Sequence, residues 1–150
     1  MTLDAIGRPM EILLIEDSLV AARMTTGALA RSKIEHRLTW LSDGLEARSF
    51  LMQTGKYARA PQPDLILLDL HLPEVDGTTL LRELRQRPEL RQVPTIIMTG
   101  TLDQAHAAEI ESLDIQGCLI KPVNLDQFLE LVEKLKGYWK TDMIVRRSES

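Results

Sequence analysis

The chain of 150 residues contains one cysteine, Cys118, so no internal disulfide can form, which fits a reducing, cytoplasmic setting. No apolar run approaches the roughly 20 residues that span a bilayer. The start, Met1-Thr2-Leu3-Asp4, lacks a basic stretch followed by an apolar one and does not read as a signal peptide. Neither sign of charge dominates: 18 basic against 22 acidic residues leave −4, which argues against nucleic acid or a membrane surface as the main partner. There is no internal repeat, no low-complexity tract, no Gly-x-Ser-x-Gly elbow and no phosphate-binding glycine loop. His36, His71 and His106 lack metal-ligand spacing. What is present is ordinary for a globular domain: 44% apolar and 27% charged residues, in a chain long enough to bury a core without a disulfide or structural metal.

Short runs rich in Ile, Leu and Val at 12–15, 65–68 and 96–98 are apolar at consecutive positions, the pattern of strands covered on both faces. Positions 36–41 and 118–120 are weaker strands. Between them lie helical spacings: Val20, Met24 and Ala28; Ala47, Phe50 and Leu51; Gly77, Leu80, Leu81 and Leu84 behind Asp76 as N-cap; a short helix at 104–112; and Leu125, Phe128, Leu129 and Val132 behind Asn124. Five strand–helix repeats predict an α/β doubly wound parallel sheet with helices on both faces. The segment 53–63, with Gly55, Pro61 and Pro63, is expected to be an extended loop. The domain is expected to span 10–140, with mobile ends at 1–9 and 141–150.

In such sheets ligand sites lie outside the carboxyl ends of the strands. The residues there are Glu16 and Asp17 after the first strand, Asp69 at the end of the third, Thr99 at the end of the fourth and Lys121-Pro122 after the fifth. Two carboxylates about 4 Å apart repel by about 4 kcal/mol at an effective dielectric near 20, so three crowded acids invite a divalent cation. Mg²⁺ suits oxygen ligands and keeps several waters: Asp17 and Asp69 can ligate directly, Glu16 through water, and the main-chain carbonyl of His71 can complete the set. A carboxylate can serve as nucleophile and form an aspartyl phosphate, with Asp69 the natural choice, Thr99 bonding a phosphoryl oxygen and Lys121 pairing with another.

The ordered set Glu16-Asp17, Asp69 within Pro63-Asp64-Leu65-Ile66-Leu67-Leu68-Asp69-Leu70-His71-Leu72-Pro73-Glu74-Val75-Asp76-Gly77, Thr99-Gly100 and Lys121-Pro122 resembles the receiver domains of two-component response regulators. The spacings agree: 69 − 17 = 52, 99 − 69 = 30 and 121 − 99 = 22 positions. The resemblance covers about residues 10–137. It implies a flavodoxin-like fold with strand order 2-1-3-4-5, and phosphoryl transfer to Asp69 from a sensor histidine kinase or phosphotransfer protein with Mg²⁺. It also implies slow self-dephosphorylation tuned at His71 and Thr101, a cis Lys121-Pro122 bond, and no enzymatic turnover beyond these steps. A narrower similarity, carried by the segment 55–64 and by Tyr138-Trp139, is to the small response regulators that serve bacterial phytochrome kinases, which often dimerise. Two departures stand out. The usual pair of aspartates is Glu16-Asp17 here, and Cys118 occupies the position three before the lysine where the family usually has Tyr or Phe, so the aromatic that the resemblance would couple to Thr99 is absent from that position.

Several positions admit a plainer reading. Asp69 could cap the following loop, Asp17 could cap the next helix, and Cys118 reads best as a small buried apolar residue. Leu131, Leu135, Tyr138 and Trp139 form either a partner or homodimer face, alongside strands four and five and the last helix, or a tail that folds back on the core. After Lys121 only 29 residues remain (150 − 121), which leaves no room for a DNA-binding module, so output by protein–protein interaction is expected. A degenerate receiver acting as a scaffold is the alternative. A hydrolase on this fold is disfavoured because His71 stands where aspartate-nucleophile phosphatases carry a second aspartate. The reading requires the amine of Lys121 to lie beside the Asp69 carboxylate.

Overall fold

The computed structural model describes residues 8–32, 34–100, 107–108, 111–113, 115–121, 123–135 and 145–146. Five parallel strands, β1 (Met10–Ile15), β2 (Ile34–Leu41), β3 (Leu65–Asp69), β4 (Thr95–Thr99) and β5 (Gly117–Ile120), lie in the order β2-β1-β3-β4-β5. This is the flavodoxin-like order that the resemblance to receiver domains implies. A two-residue strand, β6 (Val145–Arg146), adds antiparallel to β2 through Ile34↔Arg146 and Glu35↔Val145, so part of the segment expected to be a loose tail borders the sheet.

The helices are α1 (Leu19–Arg31), α2 (Gly44–Met52), α3 (Gly77–Gln86), α4 (Pro88–Arg91) and α5 (Leu125–Lys134) among the described residues. Both sheet faces are covered, which is why the strands are apolar at consecutive positions. On one face Leu13, Ile15, Ile66, Leu68 and Ile97 pack with Phe50 of α2 and Leu80, Leu81 and Leu84 of α3. On the other, Ile12, Leu14, Leu65, Leu67 and Met98 pack with Ala22 and Leu29 of α1 and Phe128 and Val132 of α5. Three helix starts are capped by side chains: Ser18 accepts from the Ala21 amide at 3.2 Å, Asp43 from Glu46 at 2.7 Å and Asn124 from Gln127 at 3.1 Å. Asp76 precedes α3 but accepts from the Thr78 hydroxyl instead of a helix amide.

Two sequence expectations are corrected, and a third that stood open between two alternatives is narrowed. In α1 the buried residues are Ala22, Thr25, Ala28 and Leu29, while Val20 and Met24 are exposed; apart from Leu29 the helix meets the sheet with small side chains, and Val20 and Met24 lie on its outer face. The 53–63 loop contains a 3-10 turn, Gly55–Tyr57, because the Tyr57 ring packs edge-on to Phe50 at 5.4 Å. Leu135 is buried and Leu131 packs on the α1–α5 core, so both belong to the fold interior; Tyr138 and Trp139 lie outside the described residues. The helix expected at 104–112 lies mostly outside them too, with Ala107, Ala108 and Glu111 helical. Among the described residues no helix is long and apolar enough to cross a membrane.

Candidate functional site at the carboxyl edge of the sheet

Strand register builds the site. Ile15 pairs with Leu68, so Glu16 and Asp69 leave the sheet side by side. Asp69 pairs with Met98, so Thr99 sits one step further along, and Thr99 pairs with Ile120, so Lys121 sits one step beyond again. The Lys121 amide donates to the Thr99 carbonyl at 2.8 Å, tying the last two strand ends together. Glu16, Asp69 and Thr99 are buried and Asp17 is exposed.

Lys121 Nζ bridges two acids: it lies 2.5 Å from Glu16 Oε1 and 3.1 Å from Asp69 Oδ2. The other Asp69 oxygen, Oδ1, accepts the His71 amide at 3.0 Å, and Glu16 Oε2 accepts the Ser18 amide at 3.1 Å. Because Ser18 caps α1, Asp17 is spared that duty. One oxygen each from Glu16, Asp17 and Asp69 lie within 4.8 Å of one another. Three carboxylates face one amine, leaving two uncompensated negative charges if all are ionised. Glu16 Oε1 is buried, and the Lys121 amine is its partner. An all-oxygen donor set in which three carboxylates meet a single amine fits a hard divalent cation.

Gly77 shapes the wall behind Asp69. Its amide donates to the Leu70 carbonyl at 3.0 Å, and a Cβ there would fall 2.6 Å from the Asp69 carbonyl oxygen and 2.7 Å from Leu70 Cα. Only glycine lets α3 begin so close to the turn that leaves β3.

Burial is the main force raising Glu16 from 4.5 to about 7, and neighbouring Asp69 adds to it against the opposing bonds from Lys121 and Ser18. For Lys121, burial works to lower the pKa, but the bonds to Glu16 and Asp69 outweigh it and the net shift is upward. Since the folded value of Glu16 exceeds the unfolded one, the unfolded chain releases that proton first as pH rises. Glu16 therefore subtracts stability progressively between pH 4.5 and about 7, by on the order of 3 kcal/mol above that window. Glu16→Gln is expected to raise the melting temperature of the ion-free protein at pH 8, with the gain fading as pH falls toward 4.5; melts in a chelator across that range check it.

Glu16, Asp17, Asp69 and Lys121 are thus brought together, Thr99 ends the adjacent strand, and His71 contributes its amide. Thr101 and Pro122, with the cis bond expected before it, lie outside the described residues. Cys118 is exposed on β5, which corrects the expectation of burial: β5 is the edge strand, and only Leu119 of it is buried. Partial desolvation raises the thiol's pKa, so the sulfur is a weak nucleophile at neutral pH. Sequence reasoning missed Trp40, whose indole Nε1 donates to the Glu16 carbonyl at 2.7 Å; its only signal is that the β2 end lies beside the β1 end.

Residues 12–133 match the response regulator receiver domain. The chain belongs to this family. Its relatives include Response regulator Rcp1 from Synechocystis sp., 37% identical over 131 residues that cover 87% of this chain and 89% of Rcp1. The Mn²⁺-bound crystal structure of Rcp1 superposes with a TM-score of 0.75 at 35% identity, covering 93% of this receiver and all of that chain. The phosphorylated cyanobacterial phytochrome response regulator RcpA gives a TM-score of 0.76 at 33% identity over 91% of this receiver and 99% of RcpA. The bacteriophytochrome response regulator RtBRR gives 0.79 at 29% identity over 89% and 82%. This receiver is therefore a signalling protein with phytochrome-associated relatives, and its acidic cluster fits the divalent-metal binding of receivers.

Proposed function

We propose that this receiver accepts a phosphoryl group on Asp69 from a sensor histidine kinase or a phosphotransfer protein, in a Mg²⁺-dependent reaction, and signals by phosphorylation-dependent binding to another protein. The observation that carries the proposal is the bridge from Lys121 Nζ to Glu16 and Asp69, at 2.5 and 3.1 Å, beside three clustered carboxylates. Asp17 and Asp69 would ligate the ion directly, Glu16 through water, and the His71 carbonyl would complete the protein's share. Bound Mg²⁺ supplies charge neutralisation for the transferring group.

An Asp69 carboxylate oxygen attacks phosphorus, and the bond from phosphorus to the donor breaks. If the donor is a phosphohistidine, the electron pair of that bond returns to its imidazole nitrogen. Lys121, held by two acids beforehand, keeps Glu16 as one anchor and turns its remaining N–H donors to a phosphoryl oxygen. The Thr99 hydroxyl donates to another, and the two together draw the ends of β4 and β5 toward Asp69. The side chains of His71 and Thr101 tune the water attack that ends the signal.

The same reading takes the kinase partner to be of the bacteriophytochrome class, by analogy with the relatives above, and has the receiver work in the cytoplasm over residues 10–140. Homodimerisation through β4, β5 and α5, or through Tyr138 and Trp139, belongs to it as well; nucleic acid and membrane do not. Because Cys118 replaces the usual aromatic, output would leave through the displaced strand ends themselves. Incubation with a small phosphodonor and Mg²⁺, read by intact mass, tests the proposal. One added phosphoryl group that chelator prevents is the expected result. No addition at any Mg²⁺ level would sink it and leave a phosphorylation-independent scaffold.

A further inference from the structure

Trp40 is the penultimate residue of β2, and its indole is partly exposed, with 40% of the residue open to solvent. It pairs with Leu14 of β1, while the next pair is Ile15 with Leu41. Beyond that pair, β2 grips the first residue to leave β1 from both sides. The Glu16 amide donates to the Leu41 carbonyl at 3.0 Å, and the Glu16 carbonyl accepts the Trp40 indole N–H at 2.7 Å.

The second bond matters for Asp17. A peptide group is planar, so fixing the Glu16 carbonyl also fixes the direction in which Asp17 departs. The Asp17 side chain has no hydrogen bond or ion pair of its own among the described residues, whereas Glu16 and Asp69 are held by Lys121 and by the Ser18 and His71 amides. Its place in the carboxylate cluster rests on its backbone. We infer that Trp40 is a positioning residue for the acidic pocket, its indole N–H locking the Glu16–Asp17 peptide so that the Asp17 carboxylate faces those of Glu16 and Asp69.

This inference rests on the reading of the cluster as a divalent-ion site. Calorimetric titration of the whole chain with Mg²⁺ and with Mn²⁺, without any phosphodonor, tests it in three proteins. Wild type binds one ion, and Asp17→Asn loses that binding. Trp40→Phe, which keeps a ring and removes the donor, binds about tenfold more weakly. Wild-type affinity in Trp40→Phe alongside loss in Asp17→Asn would overturn the role of Trp40 and leave the ion site standing. Equal binding by wild type and Asp17→Asn, or none by wild type, would overturn the ion-site reading and with it this inference. A purely structural Trp40 would lower the melting temperature of Trp40→Phe while leaving its ion affinity unchanged, which also counts against the inference. Should Trp40→Phe fail to fold, Trp139→Phe leaves Trp40 as the single indole. Its emission should then shift on Mg²⁺ addition with the calorimetric midpoint, and an unchanged spectrum would overturn the inference.

Discussion

Asp69→Asn is expected to abolish uptake of phosphate from a small phosphodonor in Mg²⁺, with no added mass after an incubation that fully converts wild type. An amide oxygen carries no charge to attack phosphorus, so the loss is of the nucleophile itself. Folding should survive. The new side-chain amide can present an oxygen to the His71 N–H, as Oδ1 of Asp69 does at 3.0 Å, and Lys121 keeps Glu16 at 2.5 Å. One member of a crowded acid trio also disappears, which lessens the repulsion that helps raise Glu16. The ion-free variant should therefore melt no lower than wild type while its phosphorylation is gone. Continued phosphorylation at wild-type level would move the acceptor elsewhere.

The second large effect is on stability. Gly77→Ala places a methyl 2.6 Å from the Asp69 carbonyl oxygen and 2.7 Å from Leu70 Cα. Both are backbone atoms, which cannot rotate aside as a side chain does, so the start of α3 must move as a body. Leu80, Leu81 and Leu84 follow it, and all three are fully buried against β1, β3 and β4. A cost of about 3 kcal/mol is expected, at the upper end for overpacking. For a domain of this size it lowers the melting temperature by about 10 °C. The Asp69–Leu70 turn shifts with it, so phosphorylation should slow as well. A denaturant titration gives the first quantity and a time course of mass addition the second.

How much of this was legible in the sequence depends on the kind of signal each residue carries. Asp69 and Lys121 each end a run of apolar residues, and a doubly wound sheet sends such positions to one rim, so their meeting at 3.1 Å follows from order and spacing. The β2-β1-β3-β4-β5 order likewise follows from strand–helix alternation together with the family resemblance. The face of α1 does not. An every-four spacing names a stripe without saying whether it is the buried one, and here Ala22 and Thr25 take the sheet side while Val20 and Met24 face out. The exposure of Cys118 is hidden for another reason: residue type favours burial, whereas position on the edge strand decides the outcome. Trp40 is 24 positions from Glu16, and only the parallel register of β1 with β2 brings them together. That contact is a property of pairing, which no local pattern records.

Cys118 has a practical consequence. It is the sole thiol in the chain, it is exposed, and it stands three positions before Lys121 on the strand whose end the phosphoryl group would pull. A maleimide dye would attach there and nowhere else. Its reaction would be slow near neutral pH, because the sulfur holds its proton more tightly than usual. The molecule thus carries its own attachment point for an optical probe beside the region expected to move, with no engineered cysteine required.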